Sequence, residues 1–446
     1  MRLLRRGACA VALATATPLL VSGCGGGGSA DGSNELHVLV GANADYPKQL
    51  AQWEQDLKQK FKARTGANLV FETFSDSSDE TTKIETSMVS GTGPDVFQLG
   101  TTFTPVAYGT HGFAALSPQD WKKIGGRGRY VNRSLAMSGP DPAHQIGVPT
   151  GLRPYGIVYN KQKFAAVGIK APPATWDELI ADARKLTDRS SETYGLAQDY
   201  ADSYDPWKYT WAFAEQTGGA LVSKNGAKAQ LDSPQMLKAT DSYFNLLTKD
   251  HVADPASAGW DASKAIAAFA NGKAAILPMV TPTVIPSLNA SSVKGKYAFA
   301  PLPTVPPGMS RRPAGGVAAS SIVSGDDLAI AKYADKPLAL QFVNLATSKP
   351  MQLEQWKLLG NIPSNRQAAA QLSGSDPDVA AFLKAEDSSV ATPFTGAFAD
   401  IENGLLNVAK QSLPDLSQGT YSPSKVSGLL RQANSTAQSS INRSRR

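Results

Sequence analysis

The alternation of apolar strand-like segments with amphipathic helical ones over residues 36–97 constrains the fold more than any other feature. Leu36-His37-Val38-Leu39-Val40 reads as a strand buried on both faces. Pro47 opens a helix in which Leu50, Trp53, Leu57 and Phe61 recur at helical spacing, and Gly66 stops it. Asn68 to Phe74 is a second strand, Thr81 to Val89 a second helix, and Asp95-Val96-Phe97 a third strand. A β-α-β-α-β order predicts an α/β fold with mixed, mostly parallel sheets and helices on both faces. The middle of the chain repeats the signal. Gly156–Tyr159, Ala274–Met279 and Tyr297–Ala300 read as strands. Lys161–Val167, a segment from Trp176, another from Pro234 and Ala262–Ala270 read as helices. Thr175 and Glu178 form a capping box ahead of Trp176, Leu179, Ile180, Ala183 and Leu186. Beyond Lys336 the spacing predicts helices over 337–347, 350–357, 377–386, 397–411 and 423–441.

The chain's two cysteines, Cys9 and Cys24, both lie at its start. Arg2, Arg5 and Arg6 precede an apolar stretch from Ala8 to Val21, shorter than the ~20 residues of a spanning helix. These are the flanks of a secretory signal. Leu20-Val21-Ser22-Gly23-Cys24, followed by glycines 25–28, resembles a bacterial lipobox. That resemblance implies removal of residues 1–23, a lipidated Cys24 and a flexible linker over 24–35. Two or more acyl chains hold a protein on a membrane stably, where one does not. The expected location is the outer face of the cytoplasmic membrane, extracellular in a Gram-positive bacterium. No cysteine then remains for a disulfide, a thiolate metal site or a nucleophile. Loss of three arginines takes the formal charge from +6 to +3, too little for a nucleic-acid footprint. The four histidines (His37, His111, His144 and His251) have no metal-ligand spacing. Gly91 to Asp95 lacks the lysine of a phosphate loop. Ser291-x-x-Lys294 and Ser422-x-x-Lys425 lack the companion motifs of a serine acylase. Neither a cofactor nor a metal is indicated, and the chain reads as a non-enzyme.

Five segments in order carry a family resemblance: TKIETSMVSGTGPDVF (82–97), IGVPTGLRPYGIVYNKQKFAAVGIKAPPATWD (146–177), AFANGKAAI (268–276), residues 339–346, and Asn361-Ile362-Pro363-Ser364. Together they resemble the extracellular solute-binding proteins of family 1, which serve ABC importers of sugars and include maltose-binding-protein-like receptors. The resemblance implies a two-lobe, periplasmic-binding-protein-like II fold with a hinge and a ligand cleft between lobes. It implies one lobe from 36–150 with 300–347 and another from 151–299 with 348–446. It also implies a monomer that binds a carbohydrate, an oligo- or disaccharide, and docks on permease subunits. The alternatives are a secreted lipoprotein glycoside hydrolase, with two carboxylates facing each other in the cleft, and a surface interaction protein that has lost its ligand, with no aromatics in the cleft.

A sugar site needs flat apolar faces for ring C–H surfaces and planar polar groups for hydroxyls. Asp95, Gln98, Thr101 and Thr102 follow the Gly-Pro turn. Arg153 and Tyr155 fall on the first crossover, with Arg153 free to fork onto hydroxyls or an acidic sugar, or to join an interlobe ion pair. Asp205, Trp207 and Tyr209 form an aromatic-acid cluster, the two rings being the expected stacking platforms. Trp260 lines or caps the cleft. Thr283 stands where relatives carry a Trp, which argues for a ligand unlike maltodextrin. Gly315 and Gly316 permit close backbone approach or make a simple turn. Trp356 and Phe394 either close the cleft from the second lobe or pack in its core.

Overall fold

The computed structural model describes residues 34–387 and 389–444, so the signal, linker and Cys24 expectations lie outside the described residues. Ten strands form two sheets: β1 (Glu35–Gly41), β2 (Asn68–Phe74), β3 (Val96–Gly100), β4 (Gly147–Leu152), β5 (Gly156–Asn160), β6 (Tyr194–Leu196), β7 (Ala274–Val280), β8 (Tyr297–Ala300), β9 (Gly325–Ile330) and β10 (Ile362–Pro363). The first sheet runs β10-β4-β9-β3-β1-β2 and the second β6-β7-β5-β8. β1 pairs in parallel with β2 and β3. β9 runs antiparallel between β3 and β4, because the chain re-enters this sheet from the other one. The second sheet likewise joins a parallel β6–β7 pair to antiparallel partners of β5. The result is a mixed α/β architecture in two lobes.

Leu36, Val38, Leu39 and Val40 of β1 are buried, so the strand is covered on both faces over most of its length, while His37 stays partly exposed. Leu36, Val38 and Val40 join a core with Trp53, Leu57 and Phe61 of the Pro47–Thr65 helix. Leu39 points the other way, to Phe97 and Phe103. The second lobe centres on Trp176, Leu179, Trp207, Tyr209, Trp211 and Tyr243, with Phe398 and Leu405 from the Phe398–Leu416 helix. Each such side chain, fully buried, contributes roughly 1.5–3 kcal/mol or more.

The Thr175–Glu178 capping box forms as the sequence predicts, with Glu178 N donating to Thr175 Oγ1 at 3.1 Å. The second helix starts earlier than expected, at Ser77, because the Asp76 carboxylate accepts from the amides of Ser78 and Asp79 and caps it. That extra turn carries Glu80 to the end of β3.

The chain passes between sheets at residues 153–155 and again at 301–324. The expected assignment of 348–446 to the second lobe needs correction at its start. β10 pairs with β4 in the first sheet, and Met351 of the Lys349–Leu359 helix is buried in the first core. No described helix is long and apolar enough to cross a membrane.

Candidate ligand-binding cleft

The C-terminal ends of β1 and β3 open onto a cavity of about 360 Å3 between the lobes. In open α/β sheets ligands bind in this position, in the crevice outside the carboxyl ends of the strands. Residues 41–46, following β1, form one wall. Tyr46 reaches across: its Oη donates to Thr283 O (3.0 Å) and accepts from Ser287 N (3.1 Å). At the rim, Ser263 Oγ donates to Asp45 Oδ1 (2.6 Å). The lobes therefore meet directly over the cleft. Tyr46 with Trp53, Tyr155 and Tyr204 supplies aromatic surface among the lining residues.

The floor is a charged network. Lys208 Nζ donates to Asp205 Oδ1 (2.9 Å) and to Tyr204 O (2.5 Å), and lies 5.2 Å from both the Tyr155 and the Trp207 ring centroids. Burial by itself would lower the Lys208 pKa, but Asp205, Tyr155 and Glu402 raise it above the usual lysine value. Tyr155 Oη donates to Asp205 Oδ1 (3.3 Å). Arg153 pairs with Asp326 of β9. Glu80 Oε1 accepts from Gly100 N (3.0 Å), yet burial pushes its carboxyl well above the usual range. Burial also raises Glu402, to about 7, against the opposing pull of Lys208. Asp199, Asp202 and Asp205 bring carboxylate oxygens within 4.8 Å of one another. Asp202 is occupied by the amides of Tyr204, Asp205 and Ala262 and Asp205 by Lys208, so two of the three carboxylates are already engaged by the protein.

Of the residues singled out from sequence, Gln98, Thr101, Thr102, Arg153, Tyr155, Asp205 and Thr283 line this cavity. Thr101 Oγ1 is engaged by Val323 O (3.0 Å). The acidic partner proposed for Arg153 as a ligand group is supplied by the protein itself, as Asp326. The others stand elsewhere, for identifiable reasons. Asp95 precedes β3, about 16 Å of strand from its C-terminal end, and its carboxylate accepts from His37 N (2.8 Å). Trp207 and Tyr209 flank Lys208 on the Pro206–Gln216 helix, and a 100° step to either side turns both into the core. Trp207 meets Phe398 edge-on at 5.8 Å, and Tyr209 stacks on Tyr243 at 4.5 Å. The same phase effect removes Trp356, since Gln355 and Leu359 of that helix face the cleft. Trp260 lines a separate depression with Tyr194 and Lys264. Phe394 packs edge-on against Tyr108 (5.6 Å). Gly316 is needed for a close approach, but to Gln216 O rather than to ligand: a Cβ there would sit 2.3 Å from that oxygen. Gly315 takes φ +85° beside Gly218 in the same turn.

Comparison with known proteins places this architecture. Residues 43–353 match the family profile described as bacterial extracellular solute-binding protein. The chain belongs to this family. Among solute-binding proteins similar to it, the diacetylchitobiose binding protein DasA of Streptomyces coelicolor is 28% identical over 417 residues, 86% of this chain and 87% of that one. An erythritol/L-threitol-binding protein of Mycolicibacterium smegmatis is 26% identical over 330 residues, 67% of this chain and 68% of its own. The fold is similar to that of a Thermotoga lettingae solute-binding protein bound with α-D-tagatose, with a TM-score of 0.75 at 20% identity, covering 91% of this chain and 99% of that one.

Sequence reasoning missed Tyr46, Glu80, Tyr204, Lys208, Asp326 and Glu402. Two signals were present. Asp326-Asp327 is a pair of acids inside an apolar strand, and Tyr204 and Lys208 adjoin the aromatic-acid cluster. Glu80 and Glu402 sit in ordinary amphipathic helices and carry no local mark.

Proposed function

We propose that the chain is the lipid-anchored, extracellular substrate-binding component of an ABC importer. It binds a carbohydrate or related polyol between its lobes, closes, and delivers it unchanged to membrane permease subunits. The observation that carries this reading is the interlobe cavity, which sets aromatic surface beside planar carboxylates and amides at the C-terminal edge of the sheet. The sugar and polyol ligands of the relatives support the same class. A volume of about 360 Å3 lies near the lower end of the ~300–1,000 Å3 range of small-molecule sites. It favours a monosaccharide, a polyol or a disaccharide over a longer oligosaccharide. The aromatic lining speaks against an interaction protein with a bare cleft.

The test is a thermal-shift screen of the soluble fragment from Ser29 against mono-, di- and oligosaccharides and polyols. A ligand at 100 times its Kd stabilises by about 2.7 kcal/mol, several degrees in midpoint. A hit recovered intact after incubation is the expected result, and a hit consumed by the protein would make it an enzyme. Mass spectrometry of the mature N-terminus tests the anchor. Diacylglycerol on Cys24 is expected, and Cys24→Ser should release the protein from the membrane.

A further inference from the structure

Two cations line the cleft among the described residues, Arg153 and Lys208. Each already holds a carboxylate of the protein: Arg153 pairs with Asp326, and Lys208 with Asp205 at 2.9 Å. Three further acids line the same cavity: Asp45 at the rim, bonded by Ser263, and Glu80 and Glu402, each only 2% exposed and neither in an ion pair. Glu80 has the Gly100 amide. Glu402 is less well served. The nearby Thr102 and Trp207 lower its pKa, but its Oε2 is buried with no hydrogen-bond partner. A buried acceptor left empty costs free energy that a donor recovers. Among the described residues, no cation lining the cleft is left without a carboxylate partner.

We propose that Glu402 sorts solutes by charge: its carboxylate accepts a hydrogen bond from a solute hydroxyl, and the cleft rejects otherwise identical solutes bearing a carboxylate or a phosphate. The inference rests on the carbohydrate reading and narrows it to uncharged polyhydroxylated solutes. A hydroxyl directed at a carboxylate makes a short, charge-assisted hydrogen bond. A second anion enclosed beside the ionised Glu402 carboxylate meets repulsion that water screens poorly, weakening binding by at least about tenfold. Arg153 does not offset this, because Asp326 already neutralises it.

The experiment is isothermal titration calorimetry of the Ser29 fragment at pH 8, with glucose, galactose, cellobiose and maltose, each beside its uronate and its 6-phosphate. The expected result is a neutral binder whose acidic counterparts bind at least about tenfold more weakly. In Glu402→Gln, which keeps the shape and an acceptor oxygen, the gap between neutral and acidic forms should shrink severalfold while the ligand-free melting point stays within a few degrees. A purely structural role for Glu402 would lower affinity for both forms alike and leave their ratio unmoved. An acid binding as tightly as its neutral parent, or an unchanged ratio in Glu402→Gln, overturns the inference and leaves the carbohydrate reading standing. Silence from every compound, together with a silent thermal-shift screen, overturns the carbohydrate reading and takes this inference with it.

Discussion

Replacing Tyr46 by Phe deletes one oxygen and leaves the ring in place. That oxygen makes two interlobe hydrogen bonds, at 3.0 Å to Thr283 O and 3.1 Å to Ser287 N. In an opened molecule all three groups meet water, so only the net value of each bond counts, about 0.5–1.5 kcal/mol. Two bonds shift the closed–open balance by about 2 kcal/mol, a factor of roughly 30. A population about 97% closed would become about half closed. Loss of the bonds also strands Ser287 N in the closed form, which favours the upper part of that range. The residues that follow the signal region contain no cysteine beyond Cys24, so spin labels can be placed on the Ser29 fragment without interference. Cysteines at exposed Gln59 and Lys294, one on each lobe, report the interlobe distance by pulsed electron resonance without ligand. Working without ligand matters, because Tyr46 also lines the cavity and an affinity change alone would confound latch with contact. The variant should gain a longer-distance population, and Ser263→Ala, which removes only the rim bond to Asp45, a smaller one. A distance distribution identical to that of the parent protein in Tyr46→Phe would falsify the latch reasoning.

Other outcomes follow from the same structure. Asp327 is fully buried and accepts from Ser138 and Thr104, and burial raises its pKa to about 7. The folded state therefore keeps a proton that the unfolded chain releases near pH 4, so its contribution to stability falls as pH rises from about 4 through about 7. Asp327→Asn removes this dependence and should gain roughly 3 kcal/mol relative to the parent on moving from pH 5 to pH 8, as an upper estimate; parallel denaturant curves at the two pH values measure it. Lys208→Met should cost about 3–5 kcal/mol, since it strands Asp205 with Glu402 nearby in a buried site; a thermal midpoint no lower than that of the parent would contradict the ion-pair account. Gly316→Ala forces a Cβ against Gln216 O and should cost about 1–3 kcal/mol with sugar selectivity unchanged; a shifted ligand preference would instead put this turn in the site.

The sequence by itself determined what depends on neighbours a few residues apart. Apolar periodicity located β1, β2 and the helices around them, and Thr175 with Glu178 marked a helix start to the residue, because caps and amphipathic faces are local physics. The ordered segments from Thr82 to Ser364 carried the family and hence the two-lobe frame. The short antiparallel return β9 was not legible, since its partners β3 and β4 lie far away in the chain. The site was legible where it coincided with a crossover or a strand end, as at Arg153, Tyr155 and Thr102, and at Asp205 of the aromatic-acid cluster. Tertiary structure alone decided the rest. Helical phase put Lys208 in the cleft and turned Trp207 and Tyr209 into the core, although composition favours the aromatics as sugar platforms. Glu80, Asp326 and Glu402 meet across more than three hundred residues of chain. The raised pKa values of Glu80 and Glu402 come first from burial, and that burial does not exist until the lobes have folded.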